Sequence, residues 1–298
     1  MKIGKYYFLI LTCILFGSCS KDKEQDQVTD VPDGRTPVAI ITRIGQGQQS
    51  ASLQAGLFMV NFENGQHGQL LSSHNYVNNQ LLTYSGGGWN TATPIYWKDM
   101  ETYADFYAYA PYQESVADAR TMSFCVQTNQ NANGALSQSD FLWGTMQDQS
   151  PTADSFNLML THMLSQLTVT VIAEQGFDDN ELQANDVAVV VGGTKTNCVI
   201  DLASGEITVC GNAQDVQCCN NGDLSYTAIL IPQQVPFSNF IQIDWKGNKY
   251  TLQKSFTLDP QRQYSLTVKL KKTKSGFDIG ISGWEILDED FGGEIGGN

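Results

Sequence analysis

Tyr264-Ser265-Leu266-Thr267-Val268-Lys269-Leu270 alternates apolar and polar side chains without a break. Successive side chains of an extended strand point to opposite faces, so this run buries one face and wets the other. Leu167-Thr168-Val169-Thr170-Val171 carries the same signature. Outward from these two, short stretches rich in β-branched and aromatic residues recur along the chain, divided by Gly, Asn, Asp and Ser clusters. A helical period is almost absent. In the N-terminal half the stretches cover residues 37–43, 57–62, 106–109, 122–127 and 141–144. In the C-terminal half they cover 167–173, 187–191, 198–202, 206–209, 226–231, 240–245, 249–256, 263–271 and 277–284. Gly247-Asn248 lies between two of them and reads as a tight hairpin turn. Residues 156–166 carry the chain from one half to the other, and 159–164 could make a turn of helix. The pattern predicts an all-β protein of two tandem β-sandwiches, residues 36–160 and 161–298.

The N-terminus predicts export. Lys2 and Lys5 precede an uninterrupted apolar run over residues 6–16, and Gly17-Ser18 close it just before Cys19. Eleven residues are too few for a membrane-spanning helix, which needs about 20. The pattern is that of a secretory signal peptide over residues 1–18. A cysteine directly after the small residues resembles a bacterial lipobox, which implies that Cys19 is acylated and begins the mature chain. Ser20-Lys21-Asp22-Lys23-Glu24-Gln25-Asp26-Gln27 opens a polar segment, 19–35, too poor in apolar residues to fold, and it reads as a solvated leash. Its lysine- and acid-rich composition resembles the surface-export signal of Bacteroidetes lipoproteins.

Seventeen Lys and Arg against 31 Asp and Glu give the 298-residue chain a net charge of −14. So acidic a chain, without a basic run interleaved with aromatics, excludes nucleic acid as a partner. Beyond Cys13 and Cys19 lie five cysteines: Cys125, Cys198, Cys210, Cys218 and Cys219. Cys210 could bridge to either member of the vicinal pair, or all five could remain thiols. The C-x7-C-C spacing fits no common zinc template.

The chain carries no H-E-x-x-H, no G-x-S-x-G and no phosphate-binding loop, and Gly86-Gly87-Gly88 is followed by Trp89 with no lysine. His67 and His74 in a polar loop read as solvated, and His162 on an apolar segment as a satisfied, half-buried histidine. Asp288-Glu289-Asp290 and Asp178-Asp179-Asn180-Glu181 lack calcium-loop spacing and read as surface acids. Neither a catalytic residue nor a metal or cofactor site is assigned. Aromatic residues crowd the window 84–112, and alternation along 106–109 puts half of those rings in a core; beside that core reading, Trp89 and Trp97 are candidates for ligand contact, since a ring such as Trp89 on a Gly-rich loop can stack on a sugar.

Several blocks, in order, carry a family resemblance. Pro37-Val38-Ala39-Ile40-Ile41 runs into Thr42-Arg43, and Gly56-Leu57-Phe58-Met59-Val60 follows. Ile95-Tyr96-Trp97 precedes Ala104-Asp105-Phe106-Tyr107-Ala108-Tyr109-Ala110-Pro111-Tyr112. Then come Asp140-Phe141-Leu142-Trp143-Gly144, the segment 160–169, Leu202-Ala203-Ser204-Gly205-Glu206-Ile207, and Ile279-Gly280-Ile281-Ser282-Gly283-Trp284. Together with the lipobox and acidic leash these resemble the fimbrillin family of Bacteroidales, the subunits and tip proteins of type V pili. The resemblance implies two transthyretin-like, Greek-key β-sandwich domains and a structural, adhesive, non-enzymatic role at the cell surface. It implies a precursor lipid-anchored in the outer membrane and an arginine-specific protease that removes the first strand. A neighbouring subunit's strand then fills the groove by donor-strand exchange. The implied partners are other fimbrial subunits, that protease, the outer membrane through the lipid, and a host or bacterial surface ligand.

Of four arginines (Arg35, Arg43, Arg120, Arg262), Arg43 is the expected cleavage site, because 37–42 is apolar enough to be a plug strand. Arg35 is the runner-up, though a cut there frees the leash and leaves the strand in place. One departure stands out: shaft subunits of the family end in a long donor extension, whereas only 14 residues follow Trp284 here, with Asp288-Glu289-Asp290 among them. A tip or accessory role is therefore expected over a shaft role. The competing reading is a monomeric surface lipoprotein that binds glycans through Trp89 and Trp97.

Overall fold

The structure, a computed structural model, describes residues 34–44, 53–85, 88–174, 176–178, 181–272 and 279–290. The expected signal peptide, lipidation site Cys19 and most of the expected leash lie outside these, as do residues 45–52 and 291–298. From Arg35 onward the chain clusters as one compact unit. Among the described residues no helix is long and apolar enough to cross a membrane.

The N-terminal half contributes β1 (Ile40–Ile44), β2 (Gln54–Asn61), β3 (Val77–Ser85), β4 (Gly88–Asn90), β5 (Ala104–Ala110), β6 (Met122–Cys125), β7 (Leu142–Gln149) and β8 (Phe156–His162), with one short helix, α1 (Ala135–Ser139). All but β6 join one seven-stranded sheet of order β1-β8-β7-β5-β2-β3-β4. Its two ends, β1 and β4, lie side by side, so the sheet curls upon itself. Inside the curl Leu57, Met59, Phe106, Leu158 and Leu160 pack around Trp97. On the outer face Phe58, Tyr107, Tyr109 and Phe141 meet Met122 and Phe124 of β6. With both faces covered, β5 is buried at every position and β2 from Ala55 to Val60.

The C-terminal half contributes β9 (Ser165–Ala173), β10 (Val187–Asp201), β11 (Glu206–Gln217), β12 (Cys219–Gly222), β13 (Ser225–Leu230), β14 (Gln233–Trp245), β15 (Asn248–Leu258), β16 (Arg262–Lys272) and β17 (Ile279–Asp290). Two sheets, β11-β10-β14-β15 and β12-β13-β9-β16-β17, face one another. Their shared core holds Leu167, Val169 and Val171 of β9 and the alternating Tyr264, Leu266, Val268 and Leu270 of β16. This is the all-β sandwich architecture that the strand pattern predicts.

The halves interlock. The first part of β10 pairs with β14, while Asn197 to Ile200 pair with β6 of the N-terminal half. Cys198, Ile200 and Leu202 thereby enter the same cluster as Phe58 and Tyr109. Trp143 donates its indole N–H to the Leu202 carbonyl at 2.8 Å. Gln130, fully buried, stands in for a strand neighbour: its amide donates to the Ile229 carbonyl at 2.7 Å and accepts from the Ile229 N–H at 2.8 Å. The boundary drawn at 160/161 falls inside β8.

Several local expectations change. Residues 159–162 are strand, because Leu158, Leu160 and His162 point inward on a two-residue period. The stretches 187–191 and 198–202 are one strand, β10, carried past Gly192-Gly193 by a bulge against β11. The hairpin turn lies one residue earlier than expected, at Lys246-Gly247, both with positive φ. A Cys210 bridge to the vicinal pair is excluded by geometry. Cys210 lies within β11 and Cys218 just past its end, roughly 25 Å away along an extended chain, against the ~4–7 Å a disulfide requires. All five described cysteines are thiols.

Burial pushes the Cys198 and Cys218 thiols up to about 12, whereas Cys125 is exposed. Thiolate is the reactive form. Native alkylation near neutral pH should therefore modify Cys125 readily and leave Cys198 and Cys218 untouched until denaturant is added, as peptide mass mapping would read.

Candidate functional site

The N-terminal strand and its seat form the candidate site. The chain enters antiparallel to residues 95–97, with the Val38 N–H donating to the Ile95 carbonyl at 2.8 Å and the Trp97 N–H to the Thr36 carbonyl at 2.9 Å. It then turns alongside β8, which receives it in parallel, Ile40 opposite Phe156 through to Ile44 opposite Leu160. Val38 and Ile40, half-buried, rest against the cluster inside the curled sheet. Each contributes about 1 kcal/mol by removing part of its side chain from water.

Why β8 needs this strand follows from its other neighbour. The register between β7 and β8 comprises Leu142 with His162 and Trp143 with Thr161. At Gly144 the strands cross so closely that a Cβ would collide with the Met159 carbonyl. Beyond that crossing, five successive pairs join β8 to β1. Removing β1 therefore leaves the first five residues of β8 without their ladder and opens the apolar lining of Trp97, Phe106 and Phe156. A buried backbone group left unpaired costs about 1–3 kcal/mol. A sheet edge in that state is a template for another strand.

The candidate cleavage sites fall at the two ends of this segment. Arg35 is exposed ahead of the strand, its guanidinium carbon 4.8 Å from the Tyr96 ring centroid. Arg43 lies inside β1, opposite Met159, so the Arg43–Ile44 bond sits at the end of the ladder. Arg120 pairs with Asp201 at 2.7 Å, and Arg262 opens β16.

Trp89 and Trp97 are corrected as ligand contacts. Trp89 is 9% exposed and Trp97 1%. Pairing of β3 with β4 sets Trp89 opposite Tyr84, with the rings edge to face, and the Trp97 indole donates to the Thr152 carbonyl at 2.9 Å. Neither offers a ring face to solvent, and the glycan reading loses the residues that carried it.

His67 is likewise not merely solvated. Its Nδ1 lies 2.8 Å from the fully buried Asp105 carboxylate of β5, and its Nε2 lies 3.5 Å from Asp148. Asp105 also accepts the Asp148 N–H at 2.9 Å. The pair joins residues 38 apart in sequence, a distance at which no local pattern signals it. His162 is 5% exposed and bonded to Asp140 at 2.9 Å.

A family model described as fimbrillin-like matches residues 42–284. Among solved structures, a candidate cell adhesion protein of Bacteroides uniformis is 19% identical, with a TM-score of 0.63, covering 87% of this chain and 99% of its own. A second, from Bacteroides ovatus, is 14% identical with a TM-score of 0.66, over 89% of this chain and 99% of that one. A fimbrial protein of Bacteroides ovatus, 16% identical with a TM-score of 0.51, covers 80% of this chain and 50% of its own. At these identities the likeness is one of fold. No curated protein matches the chain.

Two outcomes are expected. Gly144→Ala should destabilise the protein by about 1–3 kcal/mol in chemical denaturation, since a Cβ there has no room. Hydrogen bonding to Asp105, with the charges of Asp105 and Asp148 adding to it and desolvation opposing it, raises the His67 pKa above 6.5. The charged form is thus favoured on folding; its contribution is fully present below pH 6.5 and fades as pH rises through the raised value. Hydrogen exchange of residues 62–70 should accordingly speed up over that window beyond the intrinsic base-catalysed rise, and His67→Gln should flatten the excess.

Proposed function

The chain belongs to the fimbrillin-like family, and on that premise we propose that it is a structural and adhesive fimbrial subunit whose first strand is a removable plug. In this reading Cys19 is acylated and carries the precursor to the outer membrane. An arginine-specific protease cuts after Arg43, and the leash leaves together with residues 36–43. A strand from another subunit then occupies the seat beside β8. What supports the reading is the lopsided pairing of β8: five pairs to β1 against two to β7.

The same reading favours a tip or accessory position. The last described strand, β17, is paired with β16 from Ile279 to Asp290, so it completes its own sheet. Acting as a donor would require that ladder to break. Such a subunit accepts a strand without offering one, and it terminates a filament. The family carries no catalytic machinery into this reading, and its place is the cell surface.

Mass spectrometry of the N-terminus of surface-exposed protein tests the proposal. A mature start at Ile44 is expected. Arg43→Ala should retain the segment from Cys19 and stay out of filaments, while Arg35→Ala should mature normally. Surface protein that begins at lipidated Cys19 throughout, and assembles in that form, would overturn it.

A further inference from the structure

Four of the seven large apolar side chains left exposed among the described residues lie on two loops: Leu71, Tyr76, Met100 and Tyr103. The loops are 62–76, between β2 and β3, and 97–103, before β5. Scattered exposed apolar residues are ordinary, but a cluster rimmed by polar groups marks a binding surface. Two hollows of about 480 and 290 Å³ open between the loops and share Phe62, Glu63 and Lys98. Tyr103 borders the first with Glu101 and Thr102, and Tyr76 borders the second with His74 and Asn75.

Both loops are stiffened by bonds within the chain. The Tyr103 ring leans on Phe62 at 5.8 Å between centroids, and Phe62 on His67 at 4.5 Å. The Phe62 N–H donates to the Tyr103 carbonyl at 2.8 Å, and His67 fastens the first loop to buried Asp105. Asp99 accepts the Glu101 and Thr102 amides at 2.9 and 2.6 Å. Asn75 accepts from the Leu71 N–H and donates to its carbonyl, each at 2.9 Å. A half-exposed tyrosine held this way presents a rigid, amphipathic face at small entropic loss on binding.

We propose that this two-hollow groove binds neutral oligosaccharide. The Tyr103 and Tyr76 rings stack on sugar faces at either end, and Glu63, Lys98 and Glu101 exchange hydrogen bonds with hydroxyls between them. Two carboxylates against one ammonium repel phosphorylated, sulfated or carboxylated ligands. The same charges make the hollows unsuitable for a lipid chain. Loops rather than a bare strand edge line the groove, so an extended peptide finds no ladder to join. The inference goes beyond the fimbrial reading and does not rest on it, since an unassembled chain presents the same groove.

A glycan array probed with the purified full chain, followed by calorimetry on the strongest neutral oligosaccharide retained, tests it. Retention of neutral glycans over sialylated and sulfated ones is expected. Tyr103→Ala and Tyr76→Ala should each weaken affinity about five- to tenfold. Phe237→Ala, an exposed side chain on β14 away from the groove, should leave binding unchanged. Lys98→Ala supplies a second probe, and matched circular dichroism and melting curves keep any loss attributable to the groove. Absence of binding to every neutral glycan at millimolar concentration would overturn the proposal. So would affinity insensitive to both tyrosines, or retention confined to anionic glycans or peptides.

Discussion

The parallel ladder between β1 and β8 is the constraint on which the N-terminal half depends. β8 forms ladder pairs with β7 at two positions before the backbones cross at Gly144. Everything ahead of that crossing is held in the sheet by β1. Behind β8 lie Leu158 and Leu160, wholly buried against Trp97 and Phe106, so the ladder also keeps water from the inside of the curled sheet. Backbone pairing and apolar burial fail together if β1 goes. That coupling makes a vacated seat costly to leave open and favourable to refill.

The rest of the molecule is built so that the loss can stay local. The long β10–β11 hairpin crosses from the C-terminal sandwich to pair with β6, and Gln130, Trp143 and the Arg120–Asp201 pair pin the same junction. None of these contacts involves β1. The C-terminal core, with Val169, Val189, Ile243 and Val268 fully enclosed, is likewise remote from it. Removal of one strand therefore opens one slot in an otherwise braced body.

Local periodicity was readable wherever one face of a strand is wet. Tyr264 to Leu270 became β16 with its four alternate apolar residues in the core, and Leu167 to Val171 became β9. Where both faces are buried, as in β5, composition rather than period marked the strand. Long-range relations were hidden. Glycine beside Trp89 suggested an exposed loop, but pairing with Tyr84 turns the ring inward. Asp105 sits within an apolar run and His67 within a polar loop, and nothing in either neighbourhood announces the bond between them. The parallel union of residues 40–44 with 156–160 spans more than a hundred residues, so no turn chemistry could declare it. Of the groove's exposed tyrosines, Tyr103 belongs to the aromatic-rich window that drew notice to Trp89 and Trp97 and Tyr76 lies ahead of it; only the fold decides which rings face water.

Hydrogen–deuterium exchange of residues 156–160 tests the central dependence most directly. It should be followed in the intact chain, in a chain cut after Arg43, and in the cut chain supplied with a peptide of residues 36–44. The account predicts slow exchange in the intact chain, fast exchange once β1 has dissociated, and recovery of protection with the peptide. Protection that persists after β1 is gone would contradict it, because β8 would then be held by something other than its first-strand partner.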